Sequence, residues 1–77
     1  MYEVRELHTD AEKKLYNWMC NEGAAQCREA NESATGQWES AWAYMWEDGR
    51  CEAGIFPDMR VGEMLEEAVA YLPIRYV

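Results

Sequence analysis

The 77-residue chain has few basic residues: seven Lys and Arg stand against 15 Asp and Glu, which gives a formal net charge of −8. It also has no apolar run approaching the roughly 18 residues that a membrane-spanning helix needs, and its first residues are too charged for a secretory signal. A negative surface repels DNA, RNA and anionic membranes, so we expect no direct binding to any of them. The composition therefore predicts a soluble, cytoplasmic protein.

Aromatic residues, by contrast, are plentiful, with four Trp, five Tyr and one Phe. Disordered acidic tails lack such residues. We therefore expect the chain to fold as a single domain over residues 1–77, with the charge on its surface. At this length folding removes only about 60% of the surface of the unfolded chain, so the core is expected to be thin.

Histidine and cysteine are too few and too poorly spaced to indicate a reactive site. The three cysteines, Cys20, Cys27 and Cys51, make an odd number, which disfavours a disulfide framework. Together with His8 they lack the close cysteine pair of a structural zinc site, so we predict no metal and no cofactor. No nucleophile is placed beside His8 in the sequence, and we expect no enzymatic activity.

Helix signals are clearest near the N-terminus and in the last third of the chain. Thr9 followed by Glu12 matches a capping box, and Ala11, Leu15, Trp18 and Met19 then recur at helical spacing, which predicts a helix that ends near Asn21. A weaker helix is predicted over residues 23–36. A periodic apolar stripe predicts a last helix over residues 58–72. Short strands over residues 2–7 and 74–77 are a further expectation, and they would lie beside each other.

Residues 37–48 fit two structures. Three Trp, one Ala and one Met recur at helical spacing there, which favours a helix whose apolar face packs in the core and leaves at most an edge for a partner. Asp48-Gly49 is also a favoured two-residue turn, so a hairpin over residues 40–56 is the alternative. We predict a mainly α domain of three to four helices around a Trp-rich core, with short terminal strands. The α+β fold with the hairpin is the alternative.

Carboxylates are concentrated in the second half of the chain, beside two tyrosines that lie off the main apolar stripes. An ordinary solvated surface is one interpretation of this array. The other is that spaced carboxylates and exposed aromatic rings imitate a nucleic-acid strand and so occupy a basic groove of another protein. The residues predicted to bind such a partner are Glu47, Asp48, Glu52, Asp58, Glu63, Glu66, Glu67, Tyr44 and Tyr71.

In size, acidity, aromatic content and lack of a catalytic motif, the chain resembles the small acidic inhibitors that bacteriophages and other mobile elements direct against host defences, anti-CRISPR proteins among them. The resemblance is one of type and carries no residue roles. It implies a stoichiometric inhibitor, acting in the host cytoplasm, that blocks a basic surface of a CRISPR-Cas or other nuclease complex. The alternatives are a homodimeric structural or adaptor module and an antitoxin-like binding protein.

Overall fold

Two helices precede a three-stranded antiparallel sheet in the computed structural model, which describes residues 2–4 and 6–76. The strand order is β2-β1-β3, so β1 is central. The fold is therefore α+β; the mainly α prediction is wrong, and the hairpin alternative fits. The elements are α1 (Asp10–Cys20), α2 (Ala24–Ser33), β1 (Glu39–Met45), β2 (Cys51–Pro57), a 3-10 turn (Asp58–Arg60), α3 (Val61–Met64) and β3 (Ala70–Pro73).

Helix α1 begins with the predicted capping box. The Thr9 hydroxyl accepts a hydrogen bond from the Glu12 N–H (3.1 Å), and the Glu12 carboxylate accepts one from the Thr9 N–H (3.0 Å). Leu15 and Met19 lie on the buried side of the helix, as its periodicity predicts. Helix α2 has no side-chain cap and buries only small residues, in keeping with the weaker signal of its sequence.

Residues 37–48 do not form the predicted helix. Residues 39–45 of this segment form β1, which places small side chains on one face of the sheet and large aromatic ones on the other. Ala41, Ala43 and Met45 are buried on the face that α1 and α2 cover, where small residues let the helices approach closely. Trp42 and Tyr44 alternate with them and lie on the opposite face, as a period of two requires. Bulky aromatic residues favour a half-buried strand over a helix.

The turn that joins β1 to β2 depends on glycine. Gly49 has a φ of +90°, which residues with a side chain rarely adopt, and its N–H donates to the Trp46 carbonyl at 2.9 Å. Register is then fixed along the hairpin from Met45 opposite Cys51 to Glu39 opposite Pro57.

The core beneath α1 and α2 is not rich in Trp, which is a second correction. Leu15, Met19, Cys27 and Ala43 are fully buried there. Trp38 is 74% exposed. The helices pack on the small side chains of the sheet, and Tyr2 is the aromatic residue buried in this core. Trp18 is partly buried against it, while Trp42 and Tyr44 lie on the other face of the sheet.

The predicted helix over residues 58–72 is also wrong. Its first part is the 3-10 turn and the four-residue α3, while Ala70–Pro73 forms β3 and pairs with β1. β2 and β3 flank β1 and run parallel to each other, so residues 58–69 must return along one face of the sheet. Helices α1 and α2 occupy one face. Val61 and Leu65 are buried outside the cluster under those helices, and we infer that this segment crosses the aromatic face.

The two chain ends lie side by side. Tyr2 and Tyr76 form an isolated antiparallel bridge, and the Tyr2 hydroxyl donates to the Met19 carbonyl at 2.7 Å. The expected proximity of the ends is present as this bridge. The predicted strands over residues 2–7 and 74–77 are otherwise wrong, because their described residues form only this bridge. Arg5 and Val77 lie outside the described residues. No helix in the described part of the chain is long and apolar enough to cross a membrane.

Candidate functional site

Carboxylates converge where the β1–β2 hairpin turns. A depression of about 660 Å³ there is lined by Trp46, Glu47, Asp48, Arg50 and Glu67. The turn supplies most of these residues, and the segment that crosses the aromatic face supplies Glu67. We call Glu47, Asp48 and Glu67 the hairpin-end cluster. Sequence separation alone would not place Glu67 beside a turn some twenty residues earlier.

Cations neutralise little of this charge. The Asp48 carboxylate accepts hydrogen bonds from the Arg50 N–H (3.0 Å) and Nε (3.2 Å). Both side chains are exposed, so this ion pair contributes little to stability. Within the described residues, no Lys or Arg nitrogen lies within 4 Å of the Glu47 or Glu67 carboxylate. The cluster therefore presents a net negative charge to solvent.

The other predicted carboxylates are distributed more widely. Glu52 lies on β2 and accepts a 2.7 Å hydrogen bond from the Trp46 indole Nε1. Asp58 lies at the far end of the hairpin, where it accepts a hydrogen bond from the Ser40 hydroxyl. Glu63 pairs with Arg60 at 3.3 Å, and Glu66 is exposed after α3. The structure thus places Glu52 next to the hairpin-end cluster and Asp58 away from it.

The two predicted tyrosines belong to a row of aromatic rings on the face opposite α1 and α2. Tyr44 packs edge-on against Trp46 and Phe56, with both pairs of ring centroids 5.4 Å apart. Burial, and secondarily the charge of Glu52, raises the pKa of Tyr44. Tyr71 packs against Trp42 and remains 38% exposed. Tyr71 is thus more accessible to a partner than Tyr44.

Trp38 and Met59, which we call the Trp38–Met59 patch, are the most exposed large apolar residues that the structure describes. Their side chains are 74% and 94% exposed. Their backbones are close in space, because the Trp38 carbonyl accepts the Asp58 N–H at 2.8 Å, which extends the hairpin by one pair, and Met59 directly follows Asp58. An exposed edge of the Trp stripe was an expectation from the sequence, and Met59 was not. Counting residues with a period of two from Ala41 would have placed Trp38 on the aromatic side of the sheet. No sequence signal marks Met59 as exposed.

The three cysteines differ in their exposure. In residues 2–4 and 6–76, no group of three or more His, Cys, Asp or Glu side chains is arranged to hold a metal ion. The three thiols are free; Cys20 is exposed, Cys27 is buried and Cys51 is half-buried. Burial raises the pKa of Cys27, which makes its thiol less reactive.

Comparison with protein-family models, with curated proteins and with solved structures finds no match for this chain.

Proposed function

We propose that this protein is a small acidic inhibitor that binds a basic, nucleic-acid-binding surface of another protein, such as a nuclease complex of a host defence system. The observation that carries the proposal is an array of exposed carboxylates. Few of them pair with cations in the described residues. The described ion pairs are Arg50–Asp48 and Arg60–Glu63, and the His8 imidazole also lies 3.3 Å from the Glu6 carboxylate. Such an array attracts a Lys- or Arg-rich surface and speeds encounter with it.

The depression at the hairpin end suits the side chain of a basic residue. Glu47, Asp48 and Glu67 approach it from two separate segments, and Trp46 forms its apolar wall. An Arg of the partner that entered it would gain charge-assisted hydrogen bonds and contact the face of an aromatic ring. Arg50 is exposed and is free to move from Asp48 when a competing cation arrives.

Affinity requires more than charge, since exposed ion pairs contribute little net binding energy. Trp38 and Met59 supply a second kind of contact. Trp is among the residue types that most often anchor interfaces, and the backbone pairing of Trp38 with Asp58 brings the exposed Met59 close in the fold. In this proposal charge sets the rate of association and the Trp38–Met59 patch slows dissociation.

The test uses a purified DNA-cleaving defence complex and a variant of the hairpin-end cluster, E47Q/D48N/E67Q. The matched control is E3Q/E6Q/E32Q, which removes the same charge from exposed positions elsewhere. We expect wild type to abolish cleavage at close to equimolar ratio and the control to resemble it. The cluster variant should associate at least tenfold more slowly, with a weaker dependence on salt. Equal association by both variants would exclude the cluster, and no binding of any basic complex would exclude the function.

A homodimeric module is the second candidate, and the Trp38–Met59 patch is the observation in its favour. Two copies would bury this apolar surface against each other, but each brings a charge of −8. Sedimentation at low and high salt separates the two functions, because a dimer of this kind is expected to strengthen as salt screens the repulsion.

A further inference from the structure

Strand β2 lies at an edge of the sheet, and its register determines which backbone groups it exposes. In the described residues it pairs with β1 alone. The Trp46 N–H donates to the Arg50 carbonyl at 2.9 Å, so hydrogen-bonded pairs along the hairpin fall on even-numbered residues. The N–H and C=O groups of Cys51, Ala53 and Ile55 therefore point away from β1. An edge of this kind is a template for one more strand.

A side chain already uses part of this edge. The Ala53 N–H donates to the Gln26 side-chain oxygen at 3.2 Å. Gln26 belongs to α2, is exposed and lies far from Ala53 in sequence. An incoming strand would replace this hydrogen bond, from an outward backbone amide to an exposed amide side chain, with one to its own carbonyl.

A groove runs along this edge between α2 and β2. It has a volume of about 220 Å³ and is lined by Gln26, Glu29, Ala30 and Ser33 of α2 and by residues 53–55 of β2. Small residues occur on both walls, namely Ala30 and Ser33 of α2 and Ala53 and Gly54 of β2. Extended peptides bind in grooves of this form, where backbone hydrogen bonds supply affinity and alternate side chains supply specificity.

The charge of the groove selects its occupant. Glu29 is its only ionisable lining residue in the described chain. Glu22 lies near one end, where its charge contributes to raising the pKa of Cys51. Arg28, the cation of α2, lines a different cavity beside Tyr2 and Tyr16. The groove is thus negative along the edge, which disfavours a second copy of this acidic chain and favours a basic segment.

We propose that the edge of β2 binds an extended, basic segment of the partner protein, which adds to the sheet as a fourth strand beside β2 and lies against α2. The inference rests on the proposed function for the positive charge of the partner. Beyond that function, the inference specifies the extended conformation in which the partner binds and the backbone groups of this protein that hold it. The carbonyls of Cys51, Ala53 and Ile55 accept from the segment, and the N–H groups of the same residues donate to it.

The probe is a capped peptide of alternating Val and Lys, matched in length to β2. Two derivatives carry N-methyl groups, one on every Val amide and the other on every Lys amide. Successive residues of a strand direct their N–H groups to opposite edges, so each derivative blocks one edge only. We expect one derivative to bind at least tenfold more weakly than the parent and the other to bind within about twofold of it. Equal binding by the two derivatives, or no binding of the parent peptide, would overturn the proposal.

Two protein variants and one control experiment complete the test. Ile55→Pro removes an outward N–H that does not bond to β1, so this variant should bind the peptide more weakly. Ile55→Val keeps the N–H and should bind the peptide as wild type does. On binding of the parent peptide, the amide chemical shifts of the protein should change most at residues 51–55. A change confined to the hairpin end would contradict binding at the edge of β2. If the free protein forms a salt-resistant dimer that pairs through β2, the edge binds a second copy of the chain, and the proposal of a basic segment is wrong. If the peptide fails while a basic nuclease complex still binds, the edge is wrong and the proposed function stands.

Discussion

Trp46 and Glu52 are joined across the β1–β2 hairpin by a 2.7 Å hydrogen bond from the indole Nε1 to the carboxylate Oε2. Trp46 directly follows β1 and Glu52 lies opposite Tyr44, so the bond links the two strands diagonally. It fixes one carboxylate beside the aromatic row and beside the hairpin-end cluster. The carboxylates of Glu47 and Glu67 have no such tether in the described structure, and they are the ones available to a basic partner.

Replacing Glu52 by Gln should lower the pKa of Tyr44. Burial is the larger cause of the raised pKa and the charge of Glu52 the smaller, so the pKa should move toward its ordinary value without reaching it. Gln keeps an oxygen that can accept from the Trp46 indole. The phenolate absorbance, or the ring resonances of Tyr44, gives the measurement. Glu47→Gln is the control, and equal shifts in both variants would contradict the assignment.

Thr9→Ala should destabilise the protein by about 1 kcal/mol, because α1 loses the hydroxyl that accepts the Glu12 N–H. Reversible urea unfolding followed by circular dichroism measures the change. Thr9→Ser, which keeps the hydroxyl, is the control and should retain most of the stability. A loss as large in the Ser variant would contradict a capping role.

Glu12 gives this cap a pH dependence. The backbone N–H groups of His8 and Thr9 donate to its carboxylate and hold its pKa below the usual value. The carboxylate therefore stabilises the fold fully at neutral pH, and this contribution is lost as the pH falls through the folded-state pKa. The stability difference between wild type and Glu12→Ala should shrink in acid, as measured by unfolding at several pH values. A difference independent of pH would contradict it.

Local signals predicted α1 and offered the turn as part of the alternative hairpin, because each depends on a few neighbouring residues. The capping box and the Leu15–Met19 repeat act within one helix, and Gly49 acts within one turn. The state of residues 37–48 depends instead on what packs against them. Ala41 and Met45 fit both a helical stripe and a period of two, whereas Ala43 fits only the period of two; the packing of α1 and α2 on that face decides for the strand.

The prediction of a helix over residues 58–72 failed for a related reason. Its apolar residues have helical spacing, and Val61 and Leu65 are buried as a helix would bury them. Ala70–Pro73, however, gain backbone hydrogen bonds from the open edge of β1, which a helix over the same residues would leave unpaired. Tertiary pairing outweighed local preference. The same rearrangement brings Glu67 to the hairpin end, so the candidate site could not be assembled from sequence.

Gly23→Ala should destabilise the protein by about 1–3 kcal/mol. A Cβ at this position would lie 2.5 Å from the Trp18 ring, so the indole that packs over the turn between α1 and α2 would have to move. Gly62→Ala is the matched control. A Cβ there meets nothing within 4 Å, and alanine should leave stability unchanged or raise it slightly. Equal effects of the two substitutions in thermal unfolding would contradict the close contact at Gly23.

Trp38→Ala should leave stability within about 0.5 kcal/mol of wild type, because the side chain is 74% exposed. Leu15→Ala, at a fully buried position, should cost about 2–5 kcal/mol and approach complete unfolding in a domain this small. If the Trp38–Met59 patch anchors a partner, Trp38→Ala should also raise the dissociation rate from that partner at least tenfold. A large loss of stability in Trp38→Ala would contradict the exposure of Trp38 and show that this side chain is part of the core.

The three cysteines should react with iodoacetamide in the order of their exposure. Cys20 lies on the surface of α1 and should react first. Cys51 is half-buried, and burial together with the nearby charge of Glu22 raises its pKa, so less of it is thiolate at mildly alkaline pH. Cys27 is fully buried beside the Tyr2 ring and has a pKa raised by burial; it should react only when the fold opens.

Mass spectrometry of the digested, alkylated protein gives the rate at each thiol, and the same experiment in denaturant is the control. Unfolding exposes all three side chains alike, so the three rates should converge there. The ratio of the Cys27 rates in the two conditions then measures how often the core opens under α1 and α2. Because Leu15 and Met19 share that core, Leu15→Ala should raise the Cys27 rate far more than the Cys20 rate. A Cys27 that reacts as fast as Cys20 in the native wild-type protein would contradict the packing of α2 on the sheet.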